Sequence, residues 1–358
     1  MDRREFLITS GGAAVAAASP VAAYASENAA EFSNSYVDNA TVLRLSMPWA
    51  DAPQGPADGV RRLVRRFETM TGGRYRIEIS AGTDPGANAD LVHGSAHDFA
   101  KIHPAFAYFA GLPGSAGLNA QDFAHWLAVG GGQMLWDDLA GAEGWKPLLT
   151  GHSGEAPPLW SRTPIAGLGD FSGQRVAASG LGADVARGLG ADGLSLAPEE
   201  IAQSVAGGSL FAAETGGVLA SLANGTGRAF SHATGNGLNG HGTALSLSVR
   251  LAVWDDMPDA DKAILEAVSA EAYQASLAEV RAHDRLARQV LERSFGVTFA
   301  PWPAELAEAL DRVAEATIAH VAGCDAISAR IDQSYMAFRS AISGSNGPRR
   351  PAAAMPLA

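Results

Sequence analysis

The sequence is poor in cysteine and in charge. Cys324 is the single cysteine of 358 residues, so no disulfide forms within the chain, and its helical surroundings predict a small buried side chain rather than a nucleophile. Only 18% of the residues are charged, and 26 basic against 38 acidic residues give a net charge of −12. No basic cluster occurs beyond the arginines at 61–62 and 65–66, which argues against binding nucleic acid or an anionic membrane surface.

The chain also lacks the short motifs of several enzyme classes. It contains no Walker A motif, no G-x-S-x-G and no H-E-x-x-H. Residues 235–240 match G-x-G-x-x-G, but they follow no clear strand and open no helix, so we interpret the match as coincidence among 41 glycines. His93 and His97 lack a third ligand at fixed spacing and are interpreted as scattered surface histidines.

A metal or acid-base site built from three further histidines and one carboxylate is a weaker interpretation. His152, His232 and His241 lie in segments expected to approach a cleft, together with Glu214. No nucleophile or electrophile accompanies them, so we expect the protein not to be an enzyme.

The first 25 residues have the composition of an export signal. Paired arginines at 3–4 precede x-Phe-Leu, an apolar run rich in Ala and Gly, and the small-x-small site Ala23-Tyr24-Ala25. We therefore predict a twin-arginine-type signal peptide over residues 1–25 and a periplasmic location, with an ordinary secretory signal or an uncleaved anchor as the alternative. Residues 26–40 are predicted to be a flexible tether, and residues 343–358 a disordered tail.

Strand and helix patterns alternate along most of the chain. Thr41–Met47 and Tyr75–Ser80 alternate apolar and polar residues around a helical pattern at 57–70, which predicts a β-α-β opening and a partly parallel sheet. Further strands are predicted at 147–150, 159–162, 174–179, 210–213, 243–251 and 297–300, and the region from 259 to 339 is almost purely helical. This order predicts an α/β fold with two lobes around a cleft, which does not say whether the cleft binds or catalyses.

A block of three glycines separates two apolar stripes of helical spacing. Phe123, Trp126 and Leu127 precede Gly130–Gly132, and Met134, Leu135 and Leu139 follow it. The pattern predicts two helices that meet at a backbone conformation favoured by glycine.

This block and a collinear set of other motifs resemble the solute-binding proteins of TRAP (tripartite ATP-independent periplasmic) transporters, in the branch that binds 2-oxo acids. The resemblance extends from about residue 42 to residue 339, and its other motifs are Trp49, Phe67–Ile79, His103–Phe106, Gly111–Pro113, Arg187–Ala191, Gly242–Leu245 and Ser334–Arg339. It implies a two-lobe periplasmic solute-binding fold with hinge-crossing strands and long C-terminal helices. Lobe I is expected to comprise 41–153 plus 216–250, and lobe II 154–215 plus 251–342 with the spanning helices.

The resemblance implies a protein that captures a small extracytoplasmic organic solute and presents it to membrane permease subunits, and that can form a homodimer. The pocket positions depart from the family pattern, however. Ala177 stands where the family has an arginine that clamps the substrate carboxylate, and Arg175 lies two residues earlier on the same strand face, about 7 Å away. His152 and Ala156 stand where the family has an Asn and a Gln, and residues 238–240 stand where it has Trp-His-Glu.

The expected ligand-binding residues follow from these positions and from neighbouring hydroxyl groups; they are Trp49, His152, Ser153, Arg175, Ser179, Glu214 and Thr215. Glu214 alone remains of the family's cation-binding Glu-Trp pair. One carboxylate does not make a site for a hard cation, so we expect no cofactor and an incomplete sodium site. A degenerate homologue that acts as scaffold or sensor partner without a transported ligand is the alternative function.

Overall fold

The computed structural model describes residues 39–50, 56–82, 89–154 and 157–343. The predicted signal peptide, the tether up to residue 38, Ala156 and the tail from residue 344 lie outside the described residues.

The first sheet has five strands in the order β2-β1-β3-β10-β4. Its strands are β1 (Thr41–Met47), β2 (Tyr75–Ala81), β3 (Leu91–Ser95), β4 (Trp145–His152) and β10 (Ala244–Arg250). β1 runs parallel to β2 and β3, with Thr41 opposite Tyr75, and β10 runs antiparallel to β3 and β4. The predicted β-α-β opening is confirmed, with helix α1 (Pro56–Met70) between β1 and β2.

The second sheet has six short strands in the order β11-β9-β5-β8-β6-β7. Its strands are β5 (Leu159–Ser161), β6 (Arg175–Ala177), β7 (Asp192–Leu194), β8 (Ala212–Ala213), β9 (His232–Thr234) and β11 (Thr298–Ala300). β6 runs parallel to β7 and β8, whereas β5 runs antiparallel to β8 and β9. The mixed α/β, two-lobe architecture expected from the sequence is therefore present.

Helices cover both sheets and lead into the C-terminal region. They are α2 (Ala107–Ala110), α3 (Ala120–Val129), α4 (Gly132–Gly141), α5 (Leu181–Gly188), α6 (Pro198–Ala206), α7 (Val218–Asn224), α8 (Thr226–Ala229), α9 (Leu251–Asp256), α10 (Asp259–Phe295), α11 (Ala304–Ala322) and α12 (Ala326–Ile342). Among the described residues, none of these helices has the length and apolar character needed to cross a membrane.

The glycine block forms the predicted junction between α3 and α4. Gly131 adopts a left-handed conformation with φ 83° and caps α4. Trp126 and Trp136, one from each helix, are buried, and both stack on the ring of Phe109 with centroid distances of 5.4 and 5.1 Å. Met134 departs from the predicted apolar stripe, because its side chain is 65% exposed.

The chain passes between the two sheets at three places. One passage follows β4 at Ser153, a second joins β9 to β10 through the glycine-rich loop 235–243, and the third is the 37-residue helix α10. At 1.5 Å per residue α10 is about 55 Å long. It packs against β4 and α1 beside the first sheet and against α7 and α8 beside the second. The sequence-based division gives 216–250 to lobe I, whereas β9 pairs with β5 and β11 in the second sheet, so the return passage follows residue 234.

Candidate functional site

A groove of about 1130 Å³ lies where segments of both lobes face helix α11. From the first lobe it is lined by the turn that follows β3, including His97 and Lys101. From the second it is lined by Gly180 and one side of α5, and α11 closes it with residues of one helix face from Ala309 to Val321. We name this space the His97 groove. It is concave, and walls from both lobes bound it, as in a ligand-binding cleft.

Basic side chains predominate over acidic ones along the His97 groove. Lys101, Arg187 and Arg312 line it, against the single carboxylate Asp184. Arg187 pairs with Asp184, and Arg312 lies 4.0 Å from Glu308. Lys101 has no ion pair within 4 Å among the described residues, but its charge acts on the Asp98 carboxylate three residues earlier. The lining therefore favours an anionic ligand.

The sequence places His97 rigidly at the edge of this groove. It lies in a single 3-10 turn, Ala96–Phe99, in which Ser95 Oγ accepts the His97 amide at 3.2 Å and Asp98 Oδ2 accepts the Ser95 amide at 3.0 Å. The His97 ring is 9% exposed, and neither ring nitrogen has a hydrogen-bond partner among the described residues. Burial lowers the pKa of His97 to about 4, so the imidazole is neutral at physiological pH.

Gly180 brings the second lobe into direct contact with the His97 ring. A Cβ atom on Gly180 would lie 2.0 Å from His97 Nδ1, and the residue has φ +52°. Both the close approach and the left-handed backbone require glycine at this position. Gly180 immediately precedes α5, so the contact joins the turn after β3 to the start of a second-lobe helix.

His93 is buried nearby on β3, and its tautomer follows from its partners. Its Nε2 lies 2.9 Å from the hydroxyl oxygen of Thr150, which itself donates to the carbonyl of Leu245 at 3.2 Å. Nε2 therefore donates, and Nδ1 is a buried acceptor without a partner among the described residues. Burial lowers the pKa of His93 to about 3. Trp49 packs edge-on against His93 at 5.4 Å, and its buried indole N–H also lacks a partner within the described chain.

Two expectations about single residues are wrong. His93 and His97 are not surface histidines, because they are only 3% and 9% exposed. Cys324 is exposed rather than buried, because it lies just beyond the last turn of α11. Helical spacing alone does not show which face is covered by a distant segment.

Glu214 holds the glycine-rich loop. Its Oε2 accepts the amides of Leu238 at 2.5 Å and Asn239 at 3.2 Å, and its Oε1 accepts Asn239 Nδ2 at 2.8 Å. Burial raises the pKa of Glu214, although these hydrogen bonds act in the opposite direction. Asn239 also donates to the Ser179 carbonyl at 3.2 Å and is fully buried. Asn239 was missed from the sequence, and its role depends on partners 25 and 60 residues away.

Three other expected ligand-binding residues form hydrogen bonds in the segments where the chain passes between the lobes. Ser153 Oγ accepts the Thr243 amide at 2.8 Å, and the Ser153 carbonyl accepts the Gly217 amide at 2.8 Å. His152 is buried, and its Nδ1 accepts the Gly154 amide at 3.2 Å. The Thr215 hydroxyl lies 3.2 Å from that of Ser221. The structure thus brings these residues together with Glu214 where the chain passes between the sheets.

Arg175 and Ala177 lie apart from the groove lining. Arg175 is exposed, donates to the Ser209 carbonyl at 3.3 Å and lies 3.9 Å from Asp192 on β7. Ala177 is fully buried and packs in the apolar cluster that contains Trp160 and Phe230. Apolar packing therefore occupies the position where the resembling family has its clamp arginine. Ser179, by contrast, is exposed next to Gly180.

Several buried polar atoms of the described chain have no hydrogen-bond partner there. Eight buried side-chain nitrogen or oxygen atoms lack partners in the described chain, and five of them belong to Trp49, His93, His97 and Asn239. Each such atom costs free energy unless water or a ligand satisfies it. Among the described residues no three His, Cys, Asp or Glu side chains cluster closely enough to hold a metal ion.

Comparisons with known protein sequences point to one family of solute-binding proteins. The sequence model of bacterial extracellular solute-binding protein family 7 matches residues 57–322. The chain is 25% identical over 312 residues to the monocarboxylate 2-oxoacid-binding periplasmic protein of a Nostoc species, covering 84% of both chains.

Solved structures of TRAP transporter solute-binding proteins share the fold. One from Bordetella bronchiseptica, with calcium and picolinate bound, has a TM-score of 0.80 at 20% identity and covers 86% of this chain and 94% of its own. One from Pseudoalteromonas atlantica, with sodium and pyruvate bound, has a TM-score of 0.78 at 18% identity and covers 85% and 95%. Because the family model spans most of the chain, the protein belongs to bacterial extracellular solute-binding protein family 7, the solute-binding proteins of TRAP transporters.

Proposed function

We propose that this protein captures a small organic carboxylate in the His97 groove and presents it to the membrane subunits of a TRAP transporter. The observation that carries the proposal is a groove bounded by both lobes whose lining has three basic side chains and one acidic one. The Nostoc relative, named for binding 2-oxo acids, and the structures with pyruvate and picolinate support a carboxylate as the ligand class.

Ligand binding would act by stabilising the closed arrangement. A solute that contacts Lys101 on the first lobe and α5 on the second gains both sets of contacts only when the lobes are together. Its differential affinity then shifts the open–closed equilibrium, which is how a two-lobe protein signals occupancy. When the lobes close, the backbone angles would change in the segments between the sheets that Ser153 and Glu214 contact.

The expected site residues divide into two groups under this proposal. Ser179, exposed beside the groove-lining Gly180, is proposed to contact the solute. Trp49 does not line the groove, and its role in ligand binding stays a prediction. His152, Ser153, Thr215 and Glu214 are proposed to fix the passage between the lobes, because their polar atoms bond to neighbouring loops. Arg175 is not included, because its partners lie at the edge of the second sheet.

We further propose that no cation mediates solute binding, although relatives contain calcium or sodium. Support comes from Glu214, whose two carboxylate oxygens already accept three hydrogen bonds from the 238–239 segment. Dimer formation through the C-terminal helices stays a proposal, and light scattering of the purified protein measures it.

Isothermal titration calorimetry tests the proposed function. The mature protein is titrated with pyruvate, lactate, picolinate and gluconate, and with lactamide as an uncharged control. We expect at least one acid to bind with a Kd in the micromolar range or tighter, and lactamide not to bind. Lys101→Gln should weaken that acid about tenfold, whereas Lys262→Gln, at the start of α10, should not change it. Equal affinity for acid and amide, or no binding by any acid, would contradict the proposal.

A further inference from the structure

The two lobes touch each other at His97 and at the start of α5. Gly180 covers the His97 ring so closely that a Cβ there would lie 2.0 Å from Nδ1. The next residue, Leu181, is 7% exposed and packs in the apolar cluster that contains Phe99 and Phe106 of the first lobe. The second lobe therefore helps to bury the His97 ring, and it does so only while the lobes are together.

This contact suits a neutral imidazole and disfavours a protonated one. An imidazolium carries two N–H donors, yet neither ring nitrogen of His97 has an acceptor among the described residues. The N-terminus of α5, which begins at Leu181, carries a partial positive charge that repels a further cation. Burial lowers the pKa of His97 to about 4. Protonation of the ring is therefore unfavourable while the lobes are in contact.

The charged groups that line the groove do not compensate for this burial. On the same turn as His97, Asp98 Oδ2 accepts the Ser95 amide, and no hydrogen bond joins this carboxylate to the ring. The acid on α5 is paired with an arginine of the same helix. The other charged or titratable side chains that line the groove with His97 are Lys101, Asp184, Arg187, Arg312 and His320. None of them gives the ring an acceptor.

The titratable side chains on the remaining elements packed against this turn have partners of their own. These pairs are His93 with Thr150, His103 with Asp325, Tyr108 with Asp332, and Arg250, at the far end of β10, with Trp145. Protonation of His97 therefore gains no counter-charge from β3, α2 or β10.

Separation of the lobes would change the surroundings of the ring. Gly180 and Leu181 would move away with the second lobe, and water would supply acceptors for both ring nitrogens. The pKa of His97 would then return toward the ordinary histidine value of about 6.5. Below that pH the open form binds more protons than the closed form, so acid shifts the equilibrium toward the open form.

We propose that His97 is a pH switch for solute release, because protonation of its ring breaks the contact with Gly180, opens the lobes and lowers solute affinity. This inference rests on the proposed function, in which the solute stabilises the closed arrangement. For a solute-free protein that is mainly open, pKa values of about 6.5 in the open form and about 4 in the closed form weaken binding about tenfold between pH 7.5 and pH 5.5.

Calorimetry at two pH values tests the inference. The wild-type protein is titrated at pH 7.5 and pH 5.5 with pyruvate, lactate, picolinate and gluconate, whose carboxyl groups stay ionised at both values. We expect an acid that binds at pH 7.5 to bind about tenfold more weakly at pH 5.5. Equal affinity at the two pH values would overturn the inference and leave the proposed function standing. If no acid binds at pH 7.5, the proposed function fails, and the inference fails with it.

Variants separate His97 from the other titratable groups. His97→Phe keeps a flat ring and His97→Gln a neutral polar side chain, and neither titrates in this range. The affinity of each variant should therefore change less than about twofold between the two pH values. His320→Gln, at an exposed position on the same groove, is the matched control and should keep the tenfold change. A tenfold change that persists in both His97 variants would assign the effect to another group, such as Asp98, and would contradict the switch.

NMR titration of the His97 Cε1 proton measures the coupling directly. The signal is assigned by its absence from His97→Gln. We expect a pKa near 6.5 in the solute-free protein and a pKa below about 5 with saturating acid, because the solute holds the lobes together. The same pKa with and without the acid would overturn the inference.

Discussion

Glycine-to-alanine substitutions around the junction of α3 and α4 test whether packing or backbone conformation requires glycine there. A Cβ on Gly132 would lie 2.7–3.0 Å from three indole atoms of Trp126, whereas a Cβ on Gly141 in the same helix would meet nothing within 4 Å. Gly131 has open space but φ +83°. Gly132 therefore tests steric overlap, Gly141 tests an unstrained substitution, and Gly131 tests backbone strain.

The expected magnitudes follow from these surroundings. Trp126 is fully buried, stacks on Phe109 and donates to Ser334 Oγ at 3.1 Å, so the indole has little room to move. Overpacking costs about 2–3 kcal/mol, and about 1 kcal/mol of improved helix propensity offsets part of it, so Gly132→Ala should lose about 1–2 kcal/mol. Gly131→Ala should lose about 1–2 kcal/mol from the left-handed backbone alone. Gly141→Ala should be neutral or stabilising by up to about 1 kcal/mol.

Thermal and urea unfolding followed by circular dichroism measure these differences. For a chain of this size, 1 kcal/mol corresponds to a Tm change of roughly 2–4 °C. The reasoning is refuted if Gly132→Ala is as stable as Gly141→Ala, because the same chemical change in one helix would then be insensitive to the Trp126 contact.

Three further outcomes are expected. Glu214→Gln places an amide N–H against the N–H donors of Leu238 and Asn239. It should therefore lower the free energy of unfolding, measured by urea titration, by about 1–3 kcal/mol. The control Glu315→Gln, at an exposed position, should change it by less than about 0.5 kcal/mol. Because burial lowers the pKa of His93 to about 3 and of His97 to about 4, the unfolded chain binds more protons below pH 6.5. Stability should therefore fall as the pH decreases from about 6.5 toward 4, by up to about 1.4 kcal/mol per pH unit for each histidine, opposed by the raised pKa of Glu214. His97→Phe should flatten that slope, and an unchanged slope would show that His97 is not buried as a neutral ring. Removal of calcium and sodium by chelation and buffer exchange should leave solute affinity unchanged in calorimetry, and a tenfold loss would instead establish a cation site.

The scaffold could be predicted well from the sequence because its signals are local. The alternation in Thr41–Met47, the helical spacing that follows and the three glycines at 130–132 each specify conformation within a few residues, and the structure confirms all three. Strands β3, β7 and β9 were missed, because β7 and β9 are only three residues long and β3 lacks alternation. Such strands are defined by pairing partners rather than by their own pattern.

The candidate site was harder to predict because it depends on distant segments. His97 is buried by contact with Gly180, 83 residues later, so its spacing from His93 gave no indication of burial. Asn239 is oriented by Glu214 and Ser179, and its position in a glycine-rich loop has no local signature. Glu214 was predicted as a site residue, but its hydrogen-bond partners lie in that loop, which it stabilises.

A crystal structure of the protein with the acid that binds most tightly tests the central claim most directly. The account predicts ligand density in the His97 groove, with the carboxylate facing Lys101. Density for the bound acid outside this groove would contradict it.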